Sequence, residues 1–122
     1  MSERIDRDWS FYVKDMIAFC EKVISYTDGF GQAEFVKSGM TYDATLRNLE
    51  LIGEAATHIP ETVRQENPDI PWRLIIATRI KLIHGYLGID DDTLWSIITT
   101  DVDALLPRLQ QLPLQEAKNS AE

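Results

Sequence analysis

The sequence predicts an all-α protein, an up-and-down bundle of four to five helices, and three observations lead there. Apolar residues recur at steps of three and four along the long segments, which gathers them on one face of a helix. No stretch alternates apolar and polar residues for more than a few positions, so no strand is expected. Turn signals, among them Asp28-Gly29, Pro60 and Pro68-Asp69-Ile70-Pro71, fall between the periodic segments.

Trp9, Tyr12, Val13, Met16, Ile17, Cys20, Val23, Ile24 and Thr27 make one continuous stripe, which predicts a first helix from about Arg7 to Thr27. Asp28-Gly29 ends it, Gly31 completes the turn, and Gln32 to Lys37 reads as a short helix closed by Ser38-Gly39. A second long helix is expected from near Thr41, capped by Thr41 or Asp43, through Ala44, Leu46, Leu49, Ile52, Ala55 and Ile59 to Pro60. Proline suits a first helical turn, so Pro60 opens a short helix to Asn67, and the Pro68 to Pro71 elbow leads into a helix from Trp72 to Tyr86. Gly85 and Gly88 interrupt that pattern. Asp90-Asp91-Asp92 then caps a last helix from about Asp91 to Leu112, with a face of Leu94, Ile97, Ile98, Asp101, Leu105 and Leu109. Residues 1–115 are expected to form a single domain and 116–122 a flexible tail.

The chain has 122 residues, 44% hydrophobic and 26% charged, which is enough for one domain with a core of its own and excludes disorder as a global description. Its net charge of −8 excludes a bulk polycation that coats nucleic acid or an anionic membrane. A single cysteine, Cys20, on the apolar stripe, can form no internal disulfide and has no zinc-ligand spacing around it. No segment approaches the roughly 20 apolar residues of a membrane span, and the first residues lack a signal-peptide core. A soluble protein of the cytoplasm is expected.

The total charge hides one exception. Ile70 to Ile89 contains no Asp or Glu but holds Arg73, Arg79 and Lys81, so this window is +3 while the remaining 102 residues come to −11. Such a run is commonly a solvated helix face. Here it also contains His84 and Tyr86, in the order Arg79, four residues, His84, one residue, Tyr86.

That order resembles the Arg-x4-His-x-Tyr signature of the HEPN superfamily, and specifically the HepT-like toxin family. Arg47-Asn48-Leu49-Glu50-Leu51-Ile52-Gly53-Glu54-Ala55-Ala56, then Pro68-x-Ile70-Pro71-Trp72-Arg73, then Leu82 to Tyr86 and Trp95 look like that family in the same order. The resemblance covers nearly the whole chain and implies a HEPN-type bundle. It also implies a metal-independent endoribonuclease acting on tRNA or mRNA, without cofactor, as the toxin of a type VII toxin–antitoxin pair. The implied partner is a minimal nucleotidyltransferase that adenylylates the motif tyrosine, Tyr86, and the implied assembly is a homodimer with the signature at its cleft.

The residue types suit that chemistry. Cleavage through the ribose 2′-hydroxyl needs a group that takes and returns protons near neutral pH, and histidine has an unperturbed pKa of about 6.5. His84 is the candidate acid or base. Negative charge builds on the pentacoordinate phosphorus, and a guanidinium offers fixed donors without losing its proton, the role of Arg79. On a straight helix, however, five positions turn the chain by about 500°, so the two side chains would sit about 140° apart. Either the helix ends or distorts at His84, as Gly85 would permit, or Arg79 reaches round, or two chains pair. Ile80 stands where the family usually carries a polar residue, and an apolar side chain supplies no hydrogen bond to His84.

Around this pair, Arg47, Asn48, Glu54, Arg73 and Lys81 are candidate RNA contacts or supports, with Glu54 able to brace Arg79 or His84 across the bundle. His58 is read as a contact to the C-terminal dipole of the second long helix. Trp9, Trp72 and Trp95 are read as packing or dimer-interface residues, and Asp90-Asp91-Asp92 as a cap and not a metal site. Two other functions stay open on the sequence: a non-catalytic helical subunit of a nucleotidyltransferase complex, and a stress-signalling interaction module. The chain lacks the Gly-Ser and paired aspartates of a transferase.

Overall fold

The computed structural model describes residues 8–84 and 89–113, and all the regular structure among them is helical. The proposed tail, Gly85 and Tyr86 lie outside the described residues. Among those described, no helix is long and apolar enough to cross a membrane.

Helix α1 spans Trp9–Thr27, and Asp8 caps it by accepting the Ser10 amide at 3.1 Å, which fixes the start two residues later than expected. It ends where Gly29 turns at φ +80°, a conformation that glycine adopts without a Cβ penalty. Helix α2 spans Gln32–Lys37, as predicted, and the Glu34 carboxylate returns to the Gly31 amide at 2.9 Å. Helix α3 spans Gly39–Ala56.

Two expectations for α3 need correction. It does not wait for Thr41 or Asp43: Ser38 closes α2 and opens α3 at once, its carbonyl accepting the Tyr42 amide at 2.8 Å. At the other end it stops at Ala56 and not at Pro60, because Thr57 turns its hydroxyl onto the Glu54 carbonyl at 2.6 Å. Helix α4, Glu61–Glu66, and the elbow follow, with Trp72 Nε1 donating to the Asn67 carbonyl at 3.1 Å and Arg108 donating to the Asp69 carbonyl at 2.8 Å. Helix α5 spans Trp72–His84.

The last predicted helix is one rod in three parts: α6, Asp91–Ser96, a π turn over Ile97–Asp101, and α7, Val102–Gln110. Its inward residues are Leu94, Ile98, Val102, Leu105, Leu109 and Leu112, so Asp101 belongs outside and Val102 takes the place expected for it. Two successive steps of four would drift by about 80° on a regular α-helix. The wider π turn absorbs the extra residue and returns Val102 to the core.

The core is organised on α1, whose Val13, Met16, Cys20 and Val23 are fully buried between α3 and α7. Helix α5 packs chiefly on α3. Trp95 meets Phe35 with ring centroids 5.3 Å apart, and Trp72 is buried, so both serve packing. Burial, with Glu21 adding a smaller push, raises the Cys20 thiol to about 12. Native protein at neutral pH is therefore expected to resist iodoacetamide, and denatured protein to take up one adduct by intact mass. Rapid native labelling would contradict that packing.

Candidate active site

The site is set by the contact between α3 and α5, and Gly53 makes that contact possible. A Cβ at Gly53 would stand 2.4 Å from the Arg79 Cβ and 3.1 Å from the Ile75 carbonyl oxygen, closer than two helices tolerate. The absent side chain lets the backbones approach, and this brings the next residue, Glu54, beside Arg79. Glu54 Oε1 lies 2.7 Å from Arg79 Nη2, a charge-assisted contact that the sequence anticipated as one use of Glu54.

The same carboxylate has a second partner. Glu54 Oε2 lies 3.3 Å from His58 Nε2, and the His58 ring stacks on Tyr12 of α1 with centroids 4.5 Å apart and planes 11° from parallel. His58 is thus more than a dipole contact, and the dipole reading is replaced by these two partners. The i, i+4 spacing of Glu54 and His58 was the signal that could have found the pair. Nothing in the sequence pointed to Tyr12, which sits on the apolar stripe.

Helix α5 stays α-helical from Trp72 to His84, so no distortion carries Arg79 round to His84. Arg79 and Ile75 face α3, whereas Arg73, Ala77, Ile80 and His84, at steps of four, three and four, share an exposed stripe with Lys81 at its edge. Arg79 is held on the Glu54 side, away from that stripe. Arg79 and His84 therefore do not share one face of α5.

Other candidates separate on burial. Asn48 is 7% exposed and donates to the Ala44 carbonyl at 2.9 Å, so its side chain is turned into the bundle. Arg47 is exposed and pairs with Glu50 at 3.3 Å, one turn back along the helix face that carries Glu54. Arg73 and Lys81 are exposed on α5. Asp90 is a cap, as read, its Oδ1 accepting the Thr93 amide at 2.8 Å, and this bond holds its carboxyl below the usual carboxylate range.

The model of the family described as ribonuclease HepT-like matches residues 16–112, a span holding Gly53, Glu54, His58, Arg79 and His84. The chain belongs to the ribonuclease HepT-like family. It is 36% identical over 96 residues to "Putative RNase MJ1380" of Methanocaldococcus jannaschii, covering 79% of this chain and 88% of the relative. It is 34% identical over 101 residues to "Probable ribonuclease HepT" of Thermococcus cleftensis, covering 83% and 92%. No solved structure matched the chain significantly. The HepT-like assignment agrees with the expected ribonuclease class and with the all-α HEPN-type bundle.

Proposed function

We propose that this HepT-like chain is a metal-independent endoribonuclease whose cleft forms between two copies, with Arg79 and His84 acting on one phosphodiester. The observation that carries the proposal is the division of α5. Arg79 is anchored on Glu54 with its side chain still 30% exposed, while His84 stands on the exposed stripe beside Ile80. Ile80 is 48% exposed, and Leu74 and Ile83 are 57% and 52% exposed on the same helix. Ile80 and Ile83, about 60° apart round the helix, suit contact with a second copy, and a two-fold pairing through α5 doubles the local +3. Ile80, the apolar departure from the signature, then contributes contact area in place of a hydrogen bond.

In that cleft His84 takes the proton of the ribose 2′-hydroxyl, and the oxygen bonds to the adjacent phosphorus. The bond from phosphorus to the 5′-oxygen breaks, the leaving oxygen gains a proton, and the products are a 2′,3′-cyclic phosphate and a 5′-hydroxyl. Arg79 donates to the equatorial oxygens as their charge rises. Arg73 and Lys81 contact the RNA backbone. Regulation follows the toxin–antitoxin reading: a partner nucleotidyltransferase adenylylates Tyr86, two positions beyond His84, and a phosphodiester charge with a bulky nucleotide closes the cleft to RNA.

The test is cleavage of tRNA and mRNA in EDTA, followed by end-group analysis of the fragments. Cleavage leaving cyclic phosphates is expected, and intact RNA from a folded protein would favour the non-catalytic subunit instead. Affinity should fall steeply with salt. For single strands log K changes by about −0.7 per phosphate neutralised, so three bases give a slope of about −2 from one copy and about −4 from two. Salt-independent binding would count against the cleft. Co-expression with a minimal nucleotidyltransferase should raise the intact mass by adenylyl units. Tyr86→Phe should abolish that gain, and a gain surviving this substitution removes Tyr86 from the mechanism.

A further inference from the structure

We propose that His58 is a positioning residue, which aims the Arg79 guanidinium by holding the second oxygen of Glu54; its effect on RNA cleavage rests on the ribonuclease reading above. The Glu54 side chain is 47% exposed, and an exposed carboxylate holding a single cation swivels about its last torsion at little cost. Here both oxygens are occupied: Oε1 by Arg79 at 2.7 Å and Oε2 by His58 at 3.3 Å. The imidazole is in turn laid flat against Tyr12, a residue of a different helix, with planes 11° apart. Contacts to α1 and α5 thus fix the plane of the carboxylate from both ends, and the Arg79 donors follow it.

Arg47, the other cation on the same face of α3, is paired with Glu50 at 3.3 Å, so its described partner is a different carboxylate. Arg79 itself is kept close by Gly53, which sets the distance between α3 and α5 but not the direction in which the guanidinium points. Distance and direction are therefore set by different residues, Gly53 and the Tyr12-His58-Glu54 chain. A group that acts on a developing phosphorane gains from being aimed before substrate arrives.

Two variants of the full chain separate positioning from packing. His58→Phe keeps a ring for Tyr12 and loses the donor to Glu54, whereas His58→Gln keeps an N–H donor and loses the ring. The first readout needs no substrate: rotation about the Arg79 Nε–Cζ bond, followed by 15N NMR of the guanidinium. It is expected to be slow in the parent and in His58→Gln and fast in His58→Phe. The second is kinetic. His58→Phe is expected to lower kcat about tenfold, short of the ~100-fold that a 1 Å misplacement can cost, with KM little changed, and His58→Gln to recover most of it. An unchanged Arg79 signal in His58→Phe, or a loss of kcat that His58→Gln does not rescue, overturns the proposal. If the parent cleaves no RNA, the ribonuclease reading fails, and the NMR result alone decides whether His58 aims Arg79.

Discussion

His84→Ala is expected to lower kcat for RNA cleavage by about 10²–10⁴-fold, the usual contribution of a general acid or base, while leaving the fold intact. The two halves of that expectation come from different observations. His84 lies on the exposed stripe of α5, and exposed positions away from special contacts ordinarily change stability by about 0.5 kcal/mol or less. The companion variant Arg79→Ala is expected to cost about 10²–10³-fold in kcat, comparable to loss of one donor to an oxyanion. Arg79→Lys should recover only part of it, since an ammonium keeps the charge without the planar fork. Steady-state kinetics together with thermal unfolding check all three. Parent-like cleavage by His84→Ala would remove it from the chemistry.

The second large effect lies in the scaffold. Gly53→Ala places a methyl group 2.4 Å from the Arg79 Cβ and 3.1 Å from the Ile75 carbonyl, and neither is the free end of a flexible side chain. Helices α3 and α5 must move apart, at a cost typical of overpacking, about 1–3 kcal/mol. The gain from alanine over glycine inside a helix, about 1 kcal/mol, offsets part of it. A net loss of up to about 2 kcal/mol in urea unfolding is expected, with a fall in kcat because the Glu54 contact to Arg79 lengthens. A stabilised Gly53→Ala protein would show that the two helices do not meet this closely.

Much of this was legible in the sequence because it depends on periodicity. The stripe from Trp9 to Thr27 gave α1 and its buried Val13, Met16, Cys20 and Val23, and the Gln32–Lys37 helix was placed residue for residue. Ends were less legible, since Ser38 and Thr57 act through backbone and hydroxyl hydrogen bonds that many serines and threonines could make. The π turn was illegible for a related reason: an assumed 100° step put Asp101 inward, and the extra residue shows itself only when Leu94, Ile98 and Val102 are seen on one side.

For the site, the Glu54 to Arg79 contact could be anticipated from a polar residue on a packed helix. The roles of Gly53 and Tyr12 could not. Each depends on how two helices cross, which no spacing along one helix records. Asn48 shows the converse, a polar residue that looked available for RNA and is turned into the bundle.

The central claim is that Arg79 and His84 act together only across two copies. Mixed dimers test it most directly, with Arg79→Ala in one copy and His84→Ala in the other, purified by two affinity tags after co-expression. A two-fold dimer has two equivalent pairs, and the mixed dimer keeps one of them intact, so about half the parent rate is expected although each variant alone falls by about 10²-fold or more. A mixed dimer no more active than either variant would contradict the claim and assign Arg79 and His84 to the same chain.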